Sequence, residues 1–149
     1  MASKQDDYRT GRHVVYRLTV HLVLVTKYRR GVITDRVREL LVDTAREVCE
    51  RHGAALLEAD GEDDHLHLLV DYPPRLSVST LVGAVKTNTS KRVREQQWPE
   101  VTAALWGEHF WSPSYFACST GGAPLERVAA YIRTQREPNK PPGRPKVKQ

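Results

Sequence analysis

Cysteine is scarce in this sequence. Its 149 residues contain two cysteines, Cys49 and Cys118. Two cysteines are too few for a disulfide framework, and their separation along the chain does not match the short spacings of a zinc site. We therefore interpret both as small core residues. With 40% hydrophobic and 28% charged residues, the composition is typical of one globular domain with an ordinary hydrophobic core.

Long apolar segments are absent as well. The longest apolar stretch, from Leu18 to Val25, is interrupted by a threonine and a histidine. It is far shorter than the roughly 20 residues that a membrane-spanning helix needs. The polar N-terminal segment MASKQDDYRTGR has no apolar core of the kind found in signal peptides. The sequence therefore predicts a cytoplasmic protein with no membrane-spanning segment.

The excess of basic residues is concentrated at the C-terminal end. The formal net charge is +5, and the last ten residues, KPPGRPKVKQ, contain four basic residues and no acidic one. The rest of the chain is almost neutral, so nucleic-acid binding by it would depend on local patches. We divide the chain into an N-terminal arm at 1–12, a folded domain at 13–137 and a basic, proline-rich tail at 138–149.

Hydrophobic periodicity predicts an alternation of strands and helices. The first six elements match the split βαβ arrangement, which is an α+β, ferredoxin-like fold with an antiparallel sheet and helices on one face. A further helix is an addition at the C-terminus. Pro113 predicts an edge position or a bulge for the last strand. The predicted elements are a strand at 13–26, a helix from Thr34 to Gly53, strands at 54–60 and 65–72, a helix from Ser77 to about Gln96, a strand at 109–119 and a helix at 124–137.

Basic residues cluster after the first predicted strand and along the second predicted helix. Such clusters are typical of surfaces that follow a nucleic-acid backbone, and an aromatic side chain among them can stack on a base. The equally open alternative is a solvated charged face for the basic residues and a core position for the aromatic ones. Besides Trp111 as a possible stacking residue, the candidate DNA-binding residues are Lys27, Tyr28, Arg29, Arg30, Lys86, Lys91, Arg92 and Arg94.

His65 and His67 form a candidate metal site. Residues two apart on a strand point to the same face with Cα atoms about 6.6 to 6.8 Å apart, so the two imidazoles can converge on one ion while Leu66 enters the core. Several carboxylates surround this segment, from Glu58 to Asp71. A lone HxH pattern is more often two surface or core histidines. His21, on the first predicted strand, is interpreted as a structural histidine rather than a ligand, and proximity to the site is left open.

Tyr131 and Gln135 form a second candidate pair. They are four residues apart on the last predicted helix and therefore lie on adjacent turns of one face. This places a nucleophile beside a neutral oxygen ligand. Tyr131 alone would be interpreted as a packing aromatic, and Gln135 alone as an exposed helix former. Only their combination indicates a site.

The sequence combines HxH at 65–67 with YxxxQ at 131–135, and five stretches together match the pattern of a known family. They are HLVLVTKYRR at 21–30, DHLHLLVDYPP at 64–74, SVSTLVGAVKTNTSKRV at 77–93, HFWSPSYF at 109–116 and VAAYIRTQ at 128–135. In this combination the sequence resembles the single-tyrosine HUH transposases of small bacterial insertion sequences, TnpA type. The resemblance covers residues 13 to 137, which would then be the catalytic domain. One departure is Asp63, at a position where that family commonly has proline.

The resemblance implies a function and a set of site residues. By it, His65, His67 and Gln135 bind a divalent metal, Mg²⁺ or Mn²⁺, and Tyr131 attacks DNA. The substrate would be single-stranded DNA with hairpin ends, cleaved and rejoined through a 5′-phosphotyrosine intermediate. The protein would be a homodimer whose active sites are shared between protomers.

Three alternatives remain beside a mobile-element transposase. The first is a domesticated HUH nuclease associated with chromosomal repeat hairpins, which the residues cannot separate from it. The second is a non-enzymatic, ferredoxin-like nucleic-acid-binding module in which the histidines are structural. A replication initiator or relaxase is disfavoured by the small size of the chain.

Overall fold

The computed structural model describes residues 8–105 and 108–119. The last predicted helix, with Tyr131 and Gln135, lies outside the described residues, as do the basic tail and most of the N-terminal arm. Within the described ranges, no helix is long and apolar enough to cross a membrane.

The described chain forms a four-stranded antiparallel sheet in the order β4-β5-β3-β6, beside a small two-stranded sheet. This strand order and the helical connections confirm the predicted α+β, ferredoxin-like arrangement. A short 3₁₀ turn follows β3 at Lys27–Arg29. The elements are β1 (Arg9–Thr10), β2 (Val15–Tyr16), β3 (Thr19–Thr26), α1 (Asp35–Arg51), β4 (Ala55–Glu62), β5 (His65–Asp71), α2 (Val78–Glu95), α3 (Pro99–Leu105) and β6 (Trp111–Ser119).

The first predicted strand, at 13–26, is divided in the structure. Its beginning forms β2, which pairs with β1, and only β3 joins the four-stranded sheet. The apolar alternation continues across the break, because periodicity reports the exposure of side chains and not the strand with which the backbone pairs. Pro113 lies on β6, and β6 is an edge strand, as predicted.

Helices α1 and α2 pack against one face of the sheet and bury its apolar side chains. Each helix begins at the predicted cap: Thr34 accepts a hydrogen bond from the amide of Val37, and Ser77 accepts one from Thr80. Burying a leucine or valine contributes about 1.5 to 3 kcal/mol to folding. Three facing pairs on β3 and β5 form the centre of this core: Val20 with Val70, Leu22 with Leu68 and Leu24 with Leu66.

The sequence did not predict helix α3. A bidentate ion pair connects this helix to the start of α1. The Glu100 carboxylate accepts hydrogen bonds from Arg36 Nε at 2.7 Å and from Arg36 Nη2 at 2.6 Å. It also accepts one from the Thr34 hydroxyl at 2.9 Å. With seven residues, α3 is too short to show a helical period in the sequence.

Replacing Glu100 with glutamine is expected to lower the melting temperature at neutral pH. The hydrogen bonds from Arg36 hold the pKa of the Glu100 carboxyl at about 2, below its ordinary value of 4.5. A lowered folded-state pKa contributes stability above pH 4.5, and this contribution is lost as the pH falls towards 2. Thermal unfolding between pH 7 and pH 2 should therefore show the two proteins converging in acid. Glu39→Gln, at an exposed site on α1, is the control for loss of charge.

Candidate functional site

The face of the sheet opposite α1 and α2 carries histidines and carboxylates. We call it the histidine face and define it by His21 on β3, His65 and His67 on β5, and Asp60 and Glu62 on β4. The register places Asp60 opposite His67 and Glu62 opposite His65. Alternation along β5 sends Leu66 and Leu68 to the core and the two histidines to this face, as predicted.

A bulge in β4 directs its carboxylates towards the histidines. The register of β4 against β5 shifts between Leu56, which is opposite Val70, and Glu58, which is opposite Leu69. Without the extra residue, Leu57, positions 56 and 58 would share one face. With it, Leu56 packs against the core and Glu58 faces away from the helices.

The turn between β4 and β5 is held from two sides. The carbonyl of Asp64 accepts hydrogen bonds from the amide of Thr26 at 3.0 Å and from its hydroxyl at 3.2 Å. The carbonyl of Asp63 accepts one from the amide of Ile33 at 2.9 Å. Gly61 has φ +156°, and a Cβ there would collide with the carbonyl of His65. The start of β5 is thus fixed before any ion binds.

His65 is held through one ring nitrogen. Its Nδ1 lies 3.0 Å from a carboxylate oxygen of Asp64, and both residues are buried. This contact leaves Nε2 available as a ligand. Glu62, Asp64 and His65 offer ligand atoms within 4.8 Å of one another, close enough to hold a metal ion.

His67 is held through the opposite ring nitrogen, by His21. The Nε2 of His67 lies 2.8 Å from the Nδ1 of His21, and the two rings meet edge to edge with centroids 5.0 Å apart and planes inclined by 25°. Burial, followed by the positive charge that His21 can carry, lowers the pKa of His67. A lowered pKa favours neutral imidazole, the form that binds metals.

His21 was interpreted as a structural histidine for which proximity to the site was possible, and the structure places it in contact with His67. The sequence indicated that His21 faces away from the apolar row on its strand, which is correct. In the predicted fold the first and third strands are neighbours. His21 and the two histidines of the HxH pair face the same side of the sheet, so the sequence already indicated that they could lie side by side.

Glu62, Asp64 and His65 fit a divalent cation by their ligand types and separation, and His67 lies outside this group. Imidazole nitrogen suits Mn²⁺ and heavier transition metals, while carboxylate oxygen suits both Mg²⁺ and Mn²⁺. The site combines both ligand types on one rigid sheet, in a setting that keeps His67 neutral. The third predicted ligand, Gln135, lies outside the described residues.

Three of the predicted DNA-binding residues line a cavity of about 560 Å³ between α2 and the start of β6. They are Lys27, Lys86 and Lys91. The Lys86 ammonium donates to the carbonyls of Ser112 and Ser114 at 2.7 and 3.2 Å, and burial lowers its pKa. We call this cavity the lysine pocket.

The remaining basic residues are placed differently. Arg92 points away from the lysine pocket and forms an ion pair with Glu47 at 2.6 Å, and Arg94 does not line the pocket either. Tyr28 is 62% exposed, with the ammonium of Lys27 and the guanidinium of Arg30 within 5.2 and 5.9 Å of its ring. Tyr28 and Arg29 both have positive φ, at 56° and 54°, an uncommon conformation outside glycine.

Trp111 is not available for base stacking, and of the two interpretations left open for it the core aromatic is correct. The side chain is 5% exposed, and its indole nitrogen donates to the hydroxyl of Thr89 at 2.9 Å. Trp111 instead joins β6 to α2. A buried indole needs a partner for its N–H, and the sequence did not show that Thr89 supplies one.

Comparison with known proteins places these features in a family. The family profile described as "Transposase IS200 like" matches residues 14–135. The ISDra2 transposase TnpA of Deinococcus radiodurans is 28% identical over 131 residues, covering 88% of this chain and 93% of that protein. The transposase for insertion sequence element IS200 of Salmonella typhimurium is 29% identical over 134 residues, covering 90% and 87%.

Two solved structures share the fold. A crystal structure of a Deinococcus radiodurans protein described as a transposase superposes with a TM-score of 0.74 at 30% identity, covering 85% of this chain and 97% of that one. A REP-associated tyrosine transposase bound to a REP hairpin gives a TM-score of 0.51 at 12% identity, covering 89% and 68%. The second similarity concerns the fold alone. The profile match spans the histidine face and the lysine pocket and ends at Gln135, and the chain therefore belongs to the IS200-like transposase family.

Proposed function

We propose that this protein cleaves and rejoins single-stranded DNA at the ends of an insertion sequence through a 5′-phosphotyrosine intermediate, assisted by a divalent metal. The observation that carries the proposal is the paired restraint of His65 and His67. Each ring is held through one nitrogen by a neighbour, which leaves its other nitrogen for an ion. Membership of a transposase family supplies the reaction class.

Tyr131 is the proposed nucleophile. Its phenolic oxygen loses a proton and attacks the phosphorus, the bond to the 3′ oxygen breaks, and that oxygen takes up a proton. The product keeps the energy of the phosphodiester bond, so a 3′-hydroxyl on another strand can attack the phosphotyrosine and release Tyr131 without ATP. A divalent ion, when bound, would supply polarisation of the scissile phosphate. His65, His67 and Gln135 are the proposed ligands.

The placement of other tyrosines supports Tyr131. Tyr115 is opposite Leu24 in the sheet register and therefore lies on the helix-bearing face, away from the histidines. Tyr72 packs against the hydrophobic core, and Tyr16 belongs to the separate two-stranded sheet. Tyr28 is exposed and lies among basic residues, which suits contact with DNA.

The proposed substrate is single-stranded DNA with hairpin ends, bound by a homodimer whose active sites are shared between protomers. A protein of the same fold was solved bound to a hairpin. The polar groups that line the lysine pocket are ammonium groups, hydroxyl groups and an imidazole, beside the apolar Phe110, Trp111 and Pro113, and no carboxylate of the described residues lines it. These polar groups are all able to donate to phosphate oxygens. We assign the pocket to the DNA backbone, with Tyr28, Arg29 and Arg30 beside it.

A covalent-adduct assay tests the proposed reaction. The protein is incubated with Mn²⁺ and with single-stranded DNA from the flanks of its own gene, and the products are separated under denaturing conditions. A labelled band that survives SDS and disappears on protease treatment is the expected result. Tight DNA binding with no adduct at any flank would instead indicate the non-enzymatic binding module. An adduct with chromosomal repeat hairpins but not with the flanks would indicate the domesticated nuclease.

Replacing Lys91 with alanine is expected to weaken binding of single-stranded DNA and to reduce its salt dependence. Loss of one phosphate contact should lower the slope of log affinity against log salt by about 0.7. Arg92→Ala is the matched control, because it removes the same charge from the adjacent position of α2 while its side chain is paired with Glu47. Fluorescence anisotropy at several salt concentrations measures both variants. Equal slopes for the two would remove the lysine pocket from the DNA surface.

A further inference from the structure

We propose that His21 is a positioning residue of the metal site, which holds the ring of His67 through Nε2 and leaves Nδ1 of His67 for the ion. This inference rests on the proposed metal-assisted function. It starts from the 2.8 Å contact between Nδ1 of His21 and Nε2 of His67. A contact of this length between two ring nitrogens is a hydrogen bond, so one nitrogen donates and the other accepts.

The position of His21 in the sheet indicates which side of His67 it occupies. Along β5 the register places His67 opposite Val23, and His21 is opposite Leu69. His65 lies two residues from His67 in the other direction, opposite Val25. His21 and His65 therefore approach His67 from opposite ends of the strand. Because of this, His21 can hold the His67 ring without lying between the two predicted ligands.

The two histidine ligands then have equivalent supports. The carboxylate of Asp64 contacts Nδ1 of His65 at 3.0 Å, and His21 contacts Nε2 of His67. A neutral imidazole has one N–H and one lone pair, so a neighbour that accepts the N–H fixes the lone pair on the other nitrogen. The proposed role assigns the proton to Nε2 of His67, so that Nδ1 of His21 accepts it and the lone pair of His67 lies on Nδ1. His21 is 8% exposed and its ring plane is inclined by only 25° to that of His67, so the two rings are restrained by burial and by their shared hydrogen bond.

Two substitutions separate this role from simple packing. His21→Asn keeps an acceptor oxygen close to the place of Nδ1, whereas His21→Leu fills the buried space but accepts no hydrogen bond. We expect His21→Leu to bind Mn²⁺ about 10 to 100 times more weakly than the unaltered protein, the usual effect of removing the support of a ligating histidine. His21→Asn should recover most of the affinity. If His21 were needed only for packing, His21→Leu would bind Mn²⁺ more tightly than His21→Asn.

Calorimetric titration of the full chain with Mn²⁺ measures the affinities, and ¹⁵N NMR of the metal-free protein measures the tautomers. The unaltered protein should show His67 protonated on Nε2, and His21→Leu should lose that preference. Cys118→Ala is the control, since Cys118 is the neighbour of His21 on β6, and we expect no change in affinity. Equal or tighter Mn²⁺ binding by His21→Leu would overturn the role of His21. Absence of Mn²⁺ binding by the unaltered protein would instead contradict the proposed metal-assisted function.

Discussion

Replacing Tyr131 with phenylalanine is expected to abolish the covalent protein–DNA adduct and to leave DNA binding unchanged. Phenylalanine keeps the ring but removes the oxygen that would bond to phosphorus, so the loss should exceed about a thousandfold. The family profile that matches this chain includes position 131 and ends four residues later, at Gln135. Adduct formation is measured with end-labelled single-stranded DNA on denaturing gels, and binding of the same DNA by anisotropy.

Two further tyrosine substitutions control for this result. Tyr28→Phe changes an exposed tyrosine among basic residues, and Tyr115→Phe changes one on the helix-bearing face of the sheet. Both variants should still form the adduct, since neither hydroxyl is the proposed nucleophile. An adduct formed by Tyr131→Phe but lost in Tyr28→Phe would assign the nucleophile to the turn after β3 and refute the role of Tyr131.

Replacing His67 with alanine is expected to lower Mn²⁺ affinity by more than about 100-fold, and DNA cleavage should fall with it. The change removes a proposed metal ligand. Loss of a ligand should weaken Mn²⁺ binding at least as much as loss of the residue that supports it. It also leaves His21 without the hydrogen bond that the two rings share. His65→Ala should give a loss of similar size, because the same ion would lose its other imidazole. Calorimetric titration with Mn²⁺ measures both.

His52→Ala is the control for loss of an imidazole. His52 ends α1, where its Nδ1 lies 2.9 Å from the carbonyl oxygen of Val48. It has no proposed part in metal binding, so its removal should leave the Mn²⁺ affinity unchanged. If His67→Ala binds Mn²⁺ as tightly as the control does, the histidine pair has no part in the mechanism.

The fold was largely predictable because its signals are local. Thr34 and Ser77 cap the two helices as predicted. Leu66 enters the core, while the histidines on either side of it lie on the opposite face of the sheet. Cap preferences and strand alternation depend on neighbouring residues, which the sequence displays directly. The division between β2 and β3 was not predictable in this way, because it depends on a change of pairing partner.

The basic residues illustrate the limit of reasoning from charge. Lys91 and Arg92 are adjacent and equal in charge, yet Lys91 lines the lysine pocket while Arg92 is paired with Glu47 on α1. Adjacent helical positions differ by about 100° around the axis, so the packing of α1 against α2 decides which charge is neutralised. For a similar reason the sequence left Trp111 open between base stacking and a core position, since its partner, Thr89, is distant in sequence.

By itself the sequence determined the residue types of the site, the spacing of the HxH pair, the α+β fold class and the resemblance to a transposase family. Tertiary structure alone decided which groups surround each histidine. The bulge at Leu57 turns the carboxylates of β4 towards β5, and the pairing of β3 with β5 brings His21 within 2.8 Å of His67. Both results depend on register between strands distant in sequence. Register is a property of the assembled sheet, and a shift of one residue would move every side chain of a strand to its other face.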